Sequence, residues 1–265
     1  MSATQDLLLR EYVPRSELVV DEHSVDRARF PVVDAHVHLG RLHDAGPEAV
    51  QALVDDMDAC NVRAYVDLDG GRRHPIGEAV ARLKQAHPGR FYVLTVLPWD
   101  QIAPAGGDIG AKLAAALAEA VQQGADGLKI HKSLGLRIRD EQGRLIMPHD
   151  ERLGPLFDKC GQLGVPCLFH VADPVAFFRP LDRYNERWEE LSAHPDWHFC
   201  GGDYPTFEAL MESQERLLEA HPGTRFQSAH VASYSENLAW VSRLLDRYPN
   251  LYVDISARIG ELGRQ

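Results

Sequence analysis

Histidine is the side chain whose spacing first indicates chemistry in this sequence of 265 residues with 13 histidines. His36 and His38 stand two apart in the apolar run PVVDAHVHL. Residues two apart on a strand share a face, so the two imidazoles would lie about 7 Å apart along one side of it. Neutral imidazoles bind zinc-like ions, and two of them can converge on one ion. An isolated pair is equally compatible with two polar residues at the end of a strand.

Ionisable side chains recur near the ends of other apolar runs. His170 ends CLFHV, His230 ends FQSAHV, Lys129 and His131 share one face of GLKIH, and Asp254 lies late in LYVDIS. If these runs are parallel strands, their carboxyl ends meet at one face, where barrel enzymes assemble a site from several strands. A buried histidine with one hydrogen-bonding neighbour explains any single position. The same arrangement on four strands favours a shared metal site.

The elements that must position these side chains alternate regularly between strand and helix. Strands are predicted at 31–39, 62–68, 90–97, 126–131, 165–171, 224–231 and 250–256. Helices, with apolar residues at three- and four-residue spacing, are predicted at 47–60, 76–88, 110–124, 150–164, 205–222 and 235–249. This alternation predicts an α/β fold with a parallel sheet and right-handed crossovers.

We expect one domain over residues 1–265, with an N-terminal extension over 1–30, because no Ser/Gly-rich linker divides the chain. Two connections are long. The connection 132–149 contains LRIRDEQGRLIM, which predicts a small hairpin that turns at residues 141–143. The connection 172–204 is rich in aromatic residues and arginine, and we predict a lid-like loop there.

Composition excludes several function classes. There are 28 basic and 39 acidic residues, and the net charge of −11 argues against nucleic acid or an anionic membrane as a partner. No stretch approaches the roughly 20 apolar residues of a membrane helix, and no signal peptide is visible. Four scattered cysteines predict reduced thiols and a cytoplasmic location. Dinucleotide, phosphate-loop and serine-hydrolase motifs are absent from the sequence.

The runs FPVVDAHVHLG, GLKIH, FHVADP, SAHVAS and YPNLYVDISAR together resemble the amidohydrolase superfamily, in its amidohydrolase-related (family 2) branch. The resemblance covers roughly residues 30–260 and includes the order of the motifs. It implies a TIM-type (β/α)8 barrel with one divalent metal ion at the C-terminal mouth. Zinc is the expected ion, and manganese is the alternative.

The resemblance also assigns roles to residues. His36, His38 and His170 match metal ligands of the family, and His230 matches a histidine that binds metal or substrate or assists proton transfer. The family's aspartate on strand eight has no counterpart, since Asp254 belongs to the seventh strand. We therefore expect a chain truncated before the eighth strand, or one completed by a partner. His230 and Asp254 are the candidate catalytic residues, with Asp254 orienting groups at the mouth.

Substrate binding is predicted for Lys129, His131, Arg72 and Arg179. Some superfamily members carry a carboxylated lysine that bridges two metals at the position of Lys129, but a role in substrate binding or structure is favoured here. Arg72 could clamp a carboxylate or could be a solvated loop charge. Arg179 lies in the lid-like loop, whose aromatic and arginine side chains either cover the substrate or fasten the loop to the barrel.

The predicted function is hydrolysis of a C–N or C–O bond of a small molecule by metal-activated water. The alternative is metal-dependent, non-oxidative decarboxylation of a small aromatic carboxylic acid. An inactive barrel remnant that binds a ligand or partner is the second alternative. A homo-oligomer is compatible with each of these functions.

Overall fold

Seven parallel strands form one sheet in the computed structural model, which describes residues 7–263 apart from positions 18, 20, 22 and 173. They pair in chain order from β1 to β7. The architecture is a TIM-type barrel with seven strands, as the sequence predicts. The strands are β1 Val32–Val37, β2 Val62–Gly70, β3 Phe91–Val96, β4 Gly127–Ile130, β5 Cys167–Phe169, β6 Phe226–Ser228 and β7 Leu251–Val253.

Helices lie at each of the six predicted places, and three short helices that were not predicted lie in the described part of the chain at Trp99–Ile102, Trp188–Ala193 and Ile259–Leu262. The helices are α1 Pro47–Cys60, α2 Ile76–Ala79, α3 Trp99–Ile102, α4 Ile109–Gln122, α5 Gly154–Leu163, α6 Trp188–Ala193, α7 Phe207–Ala220, α8 Leu238–Arg247 and α9 Ile259–Leu262. The predicted helix 76–88 is α2 continued by a π-helical segment, Val80–Gln85. None of the described helices is long and apolar enough to cross a membrane.

Local sequence signals set the ends of several helices. The side chains of Asp108, Thr206 and Asn237 accept hydrogen bonds from the first turns of α4, α7 and α8. Such caps pair amides that the helix itself leaves without an acceptor. Asn61 and Gly164 end α1 and α5 in the left-handed conformation that favours these two residue types.

The two long connections have structure of their own. The predicted hairpin is present, with an antiparallel bridge between Arg139 and Leu145. The lid-like loop contains α6 and the 3-10 turns Val175–Phe178 and Pro195–Trp197. The backbone N–H of Phe199 donates to the carbonyl of Phe177 (2.8 Å) and ties the two ends of this loop together.

The large apolar core lies between the sheet and the helices, whereas the barrel interior holds a small cluster. Leu68, Leu94, Leu168 and Ala229, all buried, form that inner cluster from strands β2, β3 and β5 and from the residue after β6. Burying one such leucine contributes roughly 1.5–3 kcal/mol. This inner cluster packs inside the barrel, beneath the carboxyl ends of the strands.

Candidate functional site

Imidazole rings from three strands meet at the carboxyl ends of the sheet. The ring centroids of His36 and His38 are 5.5 Å apart, those of His36 and His230 4.9 Å, and those of His170 and His230 4.5 Å. His36 and His38 lie at the end of β1, while His170 directly follows β5 and His230 follows β6. The structure thus brings together residues that are almost 200 positions apart in the chain.

Hydrogen bonds at Nδ1 fix the tautomers of three of these rings. Nδ1 of His36 lies 2.9 Å from Asp254 Oδ2, Nδ1 of His38 lies 3.0 Å from Asp69 Oδ1, and Nδ1 of His230 lies 2.8 Å from the carbonyl oxygen of Ser256. Ionised carboxylates and carbonyls only accept, so each Nδ1 carries the proton. Each Nε2 of the neutral rings is left with a lone pair, which is the form that binds a metal.

Asp254 is the most heavily bonded side chain of the site. Its Oδ1 accepts from the backbone N–H groups of His230 (3.0 Å) and Ser256 (3.1 Å), and its Oδ2 accepts from His36 and from Nε2 of Gln227 (2.9 Å). Burial alone would raise the pKa of Asp254, but these donors hold it well below its usual range. Asp254 is therefore an ionised group with a fixed orientation.

His230 reaches the site through an unusual backbone. The predicted strand 224–231 ends at Ser228, and residues 230–233 then have φ between 55° and 60°. This left-handed conformation is rare for residues other than glycine and costs roughly 1–2 kcal/mol for each. Two hydrogen bonds to Asp254 hold the turn, from His230 N to Oδ1 and from Val231 N to the backbone oxygen (2.7 Å). Strain of this kind concentrates at functional sites.

The donor set fits a divalent metal ion. Ligand atoms of His36, His230 and Asp254 lie within 4.8 Å of one another, close enough to hold one ion. The ring of His38 borders the same group, and its side chain is 46% exposed, whereas that of His36 is 5% exposed. Imidazole nitrogens with carboxylates behind them are the usual surroundings of protein-bound zinc.

Lys129 and His131 lie side by side on the wall formed by β4. Lys129 is 1% exposed. Burial, and then the positive charges of Lys129 and Arg72, lower the pKa of His131 to about 3, so its ring is neutral near pH 7. The ring of His131 stacks on that of His38 at 6.2 Å, and its Nε2 is buried without a hydrogen-bond partner. His131 is therefore next to the cluster and retains an unused polar atom.

The two predicted arginines have different locations. Arg72 lines the main cavity and donates to Asp69 Oδ1 (3.3 Å). Arg179 instead pairs with Glu208 at 2.5 Å on the surface and is not among the cavity-lining residues. Only one of the two therefore faces the candidate site.

A cavity of about 920 Å³ opens beside the cluster. His131, His170 and His230 line its base, close to the imidazole cluster. Its walls carry more positive than negative side chains, although the whole chain has a net charge of −11. The basic residues are Arg72, Lys132, Arg137, Arg187 and Arg258, against the acidic Asp100 and Glu190. Such a cavity favours a small anion.

The sequence did not indicate the residues that position other site residues, nor two arginines that line the cavity. Asp69 orients His38, Gln227 contacts Asp254, and Arg187 and Arg258 reach the cavity from the lid-like loop and from the segment after β7. Asp69 follows the predicted strand 62–68 directly and lies near the carboxyl end of β2, so its position at the same end of the sheet as the histidines could have identified it. No local pattern distinguishes Gln227.

Comparisons with known proteins agree with this architecture. The amidohydrolase family model matches residues 10–262. A structure of 2,6-dihydroxybenzoate decarboxylase in complex with 2,6-dihydroxybenzoate is 15% identical, with a TM-score of 0.51, and the match covers 86% of this chain and 81% of that one. At this identity the likeness concerns the fold. A search of curated proteins finds no match.

Two further solved structures show weaker similarity. The 2,6-dihydroxybenzoate decarboxylase from Rhizobium is 16% identical with a TM-score of 0.49, and the match covers 86% of this chain and 80% of that one. The dihydroorotase from Campylobacter jejuni is 16% identical with a TM-score of 0.48, and the match covers 88% of this chain and 55% of that one.

Proposed function

Because the chain belongs to the amidohydrolase family, we propose that it is a metal-dependent hydrolase that acts on a C–N or C–O bond of a small anionic molecule. One observation supports this above all others. The rings of His36, His38 and His230 have their Nδ1 atoms bonded to oxygen acceptors, so Nε2 is the metal-binding atom of each neutral ring, and His230 lines a cation-rich cavity beside them.

We propose one divalent ion, held by His36 and His38 with His170, which is the set implied by the family. Potential ligand atoms of His36, His230 and Asp254 lie within 4.8 Å of one another, which supports a site for one ion beside His36, with Asp254 as the hydrogen-bond acceptor behind that ring. A metal there would polarise the substrate and lower the pKa of a bound water to near 7. Zinc suits a histidine-rich set better than manganese, which prefers oxygen ligands.

His230 and Asp254 are the residues we propose for proton transfer and orientation. His230 lines the cavity, and because its Nδ1 donates to Ser256, Nε2 is the basic atom of its neutral ring and the atom that we propose takes a proton from a group bound there. Asp254 accepts four hydrogen bonds, so its contribution is to fix the neighbouring imidazoles and stabilise positive charge on them.

The walls of the cavity support an anionic substrate. Arg72, after β2, and Arg187, in the lid-like loop, line the cavity. We propose that they bind the carboxylate of the substrate through guanidinium N–H groups other than those that they donate to Asp69 and Glu261. Neutral His131 offers a polar nitrogen without adding charge.

Decarboxylation of an aromatic acid is the second candidate, and the aromatic walls of the cavity favour it. Trp99, Phe177, Trp197 and Phe199 line the same space and could stack on an aromatic ring. In that reaction the carboxyl carbon leaves as carbon dioxide and the ring carbon accepts a proton. The decarboxylase of similar fold, solved with 2,6-dihydroxybenzoate, makes that acid a suitable first probe.

We propose a cytoplasmic location for the protein. All four cysteines are free, and Cys160 and Cys167 are buried. Free thiols support a reducing, cytoplasmic environment. A homo-oligomer stays a prediction.

Metal analysis and product analysis test the function together. We expect the purified protein to hold about one zinc per chain. We expect His36→Ala to be purified with much less zinc, because it binds the ion more weakly, while His23→Ala, which changes an exposed histidine, retains it. Zinc-loaded protein should cleave members of a panel of carboxylated amides and lactones. Release of carbon dioxide from 2,6-dihydroxybenzoate without cleavage of that panel would establish the second candidate. Protein without stoichiometric metal would support the inactive remnant.

A further inference from the structure

Side chains cross the open side of the sheet between its two edge strands. The strand order runs from β1 to β7, so these two strands are the edges. One crossing contact joins Nδ1 of His36 and Oδ2 of Asp254 at 2.9 Å. The second comes from Gln227 in β6, whose Nε2 lies 3.4 Å from the carbonyl oxygen of Ala35 in β1.

Gln227 contacts both edges with one amide group. Its Nε2 also donates to Oδ2 of Asp254 at 2.9 Å. An amide nitrogen carries two hydrogens, so it can serve both acceptors at once. Ala35 immediately precedes His36, and Asp254 immediately follows β7. The amide therefore connects the backbone next to one candidate metal ligand with the carboxylate that orients it.

We propose that Gln227 is a positioning residue that holds β1 against β7 and thereby sets the geometry between His36 and Asp254. Elsewhere in the sheet, backbone hydrogen bonds fix neighbouring strands to each other, as between β6 and β7. Between β1 and β7, Gln227 performs this task through its side chain. The proposal rests on the proposed function, since the geometry it fixes is that of the metal site.

Loss of the amide has a specific consequence for His36. The carbonyl of Ala35 and Oδ2 of Asp254 would each lose a donor, and the side chain of Asp254 is only 11% exposed. A buried acceptor without its donor costs free energy, so the two edges would move apart to admit water. The His36–Asp254 bond would then form for a smaller fraction of the time. The other imidazoles keep their own partners, Asp69 for His38 and Ser256 for His230.

Zinc affinity of the full chain tests this role through a double-mutant cycle. Gln227→Met preserves side-chain length but removes the donor, and we expect zinc to bind about 10-fold more weakly, as for other groups behind a ligand. In a His36→Ala background the same substitution should change zinc affinity less than 2-fold, because its effect passes through His36. Gln51→Ala, an exposed glutamine on α1, is the matched control and should bind zinc like the unmodified chain.

A tautomer measurement by nitrogen NMR on zinc-free protein separates this proposal from the proposed function. His36, identified by its loss in His36→Gln, should be protonated at Nδ1, and Gln227→Met should shift it towards a mixture of tautomers. If the unmodified chain binds no zinc, the metal function fails, yet the NMR result still decides the role of Gln227. An unchanged tautomer, unchanged zinc affinity, or an equal loss of affinity in the His36→Ala background would each overturn the role.

Discussion

At the scale of single residues, the candidate site depends on which nitrogen of each ring carries the proton. Asp69 and Asp254 are held ionised because donors surround them, and both have a pKa well below the usual range despite burial that acts in the opposite direction. An ionised carboxylate can only accept, so it selects the Nδ1–H form of the ring in front of it. The carboxylates therefore leave Nε2 as the nitrogen of His36 and His38 that can bind a metal ion.

Asp69 provides the first prediction at this scale. Asp69→Asn removes the charge behind His38 and allows the amide to present its N–H₂ to the ring. We expect zinc affinity to fall about 10- to 100-fold, the usual effect of losing such a partner. Competition with a chromophoric chelator measures it. Asp44→Asn, which alters an exposed carboxylate paired with His74, should leave the affinity unchanged. Equal affinities for the two variants would show that Asp69 does not orient a ligand.

Charge on the cavity wall gives a second prediction. Arg187 lines the cavity, whereas Arg179 in the same lid-like loop pairs with Glu208 outside it. We expect Arg187→Gln to weaken benzoate binding about 5- to 10-fold, near 1 kcal/mol for one partly exposed charged contact. Arg179→Gln should have no effect. Isothermal titration of zinc-loaded protein measures both, and the reverse order would place the substrate at the surface of the lid-like loop.

At the scale of elements, the site depends on the ends of short strands over a small inner core. β5, β6 and β7 have three residues each. His170, His230 and Asp254 follow these strands, where the chain leaves the sheet. The left-handed turn after β6 then directs His230 into the mouth. Packing beneath the strands must keep these ends in place.

A substitution of Leu168 tests how much the inner cluster contributes to stability. Leu168 is 1% exposed and packs in the inner cluster with Leu68, Leu94 and Ala229. Leu168→Ala should lower the free energy of unfolding by about 2–5 kcal/mol through the cavity it leaves. Leu163→Ala, at the exposed end of α5, should lower it by less than about 1 kcal/mol. Urea unfolding measures both, and similar losses would show that the inner cluster contributes little to stability.

At the scale of the whole molecule, one buried carboxylate joins the hairpin to the segment before α5 and contributes to the response of the fold to acid. Asp140, in the hairpin, accepts from the backbone and side chain of Arg144 and from Arg152 beside α5. Burial alone would raise the pKa of Asp140, but these donors lower it well below the usual range. Its stabilisation is therefore complete above the unfolded-state pKa, about 3.9, and is lost as the pH falls through the lower folded-state value.

Asp140→Asn is expected to remove this acid sensitivity in part. The variant should melt at a lower temperature than the unmodified chain at pH 7, and the gap between the two melting temperatures should begin to narrow as the pH falls below about 4. Asp55→Asn, which changes an exposed carboxylate on α1, is the control and should follow the unmodified chain. Calorimetry across this range measures the effect. A gap that widens with acid would contradict the sign derived for Asp140.

Local sequence patterns were enough to predict the strands, the six longer helical segments and the end of the sheet at which the histidines lie. Strand and helix periodicities are local, so all seven strands and six helices were predicted, with α1 at its observed limits of 47–60. The positions of His170, His230 and Asp254 at strand ends followed from the same periodicity. The left-handed turn after β6 was not predicted, because no glycine in SAHVAS marks it.

The partner of each site residue is visible only in the folded chain. Asp254 contacts His36 across 218 positions of the chain, and Gln227 reaches Ala35 across 192. Arg72 faces the cavity whereas Arg179 faces Glu208. Contacts of this kind depend on the curvature of the sheet and on the direction of each side chain. Both are set by the packing of the whole chain. A local pattern records the direction of a side chain relative to its own strand, but not the partner it meets on another.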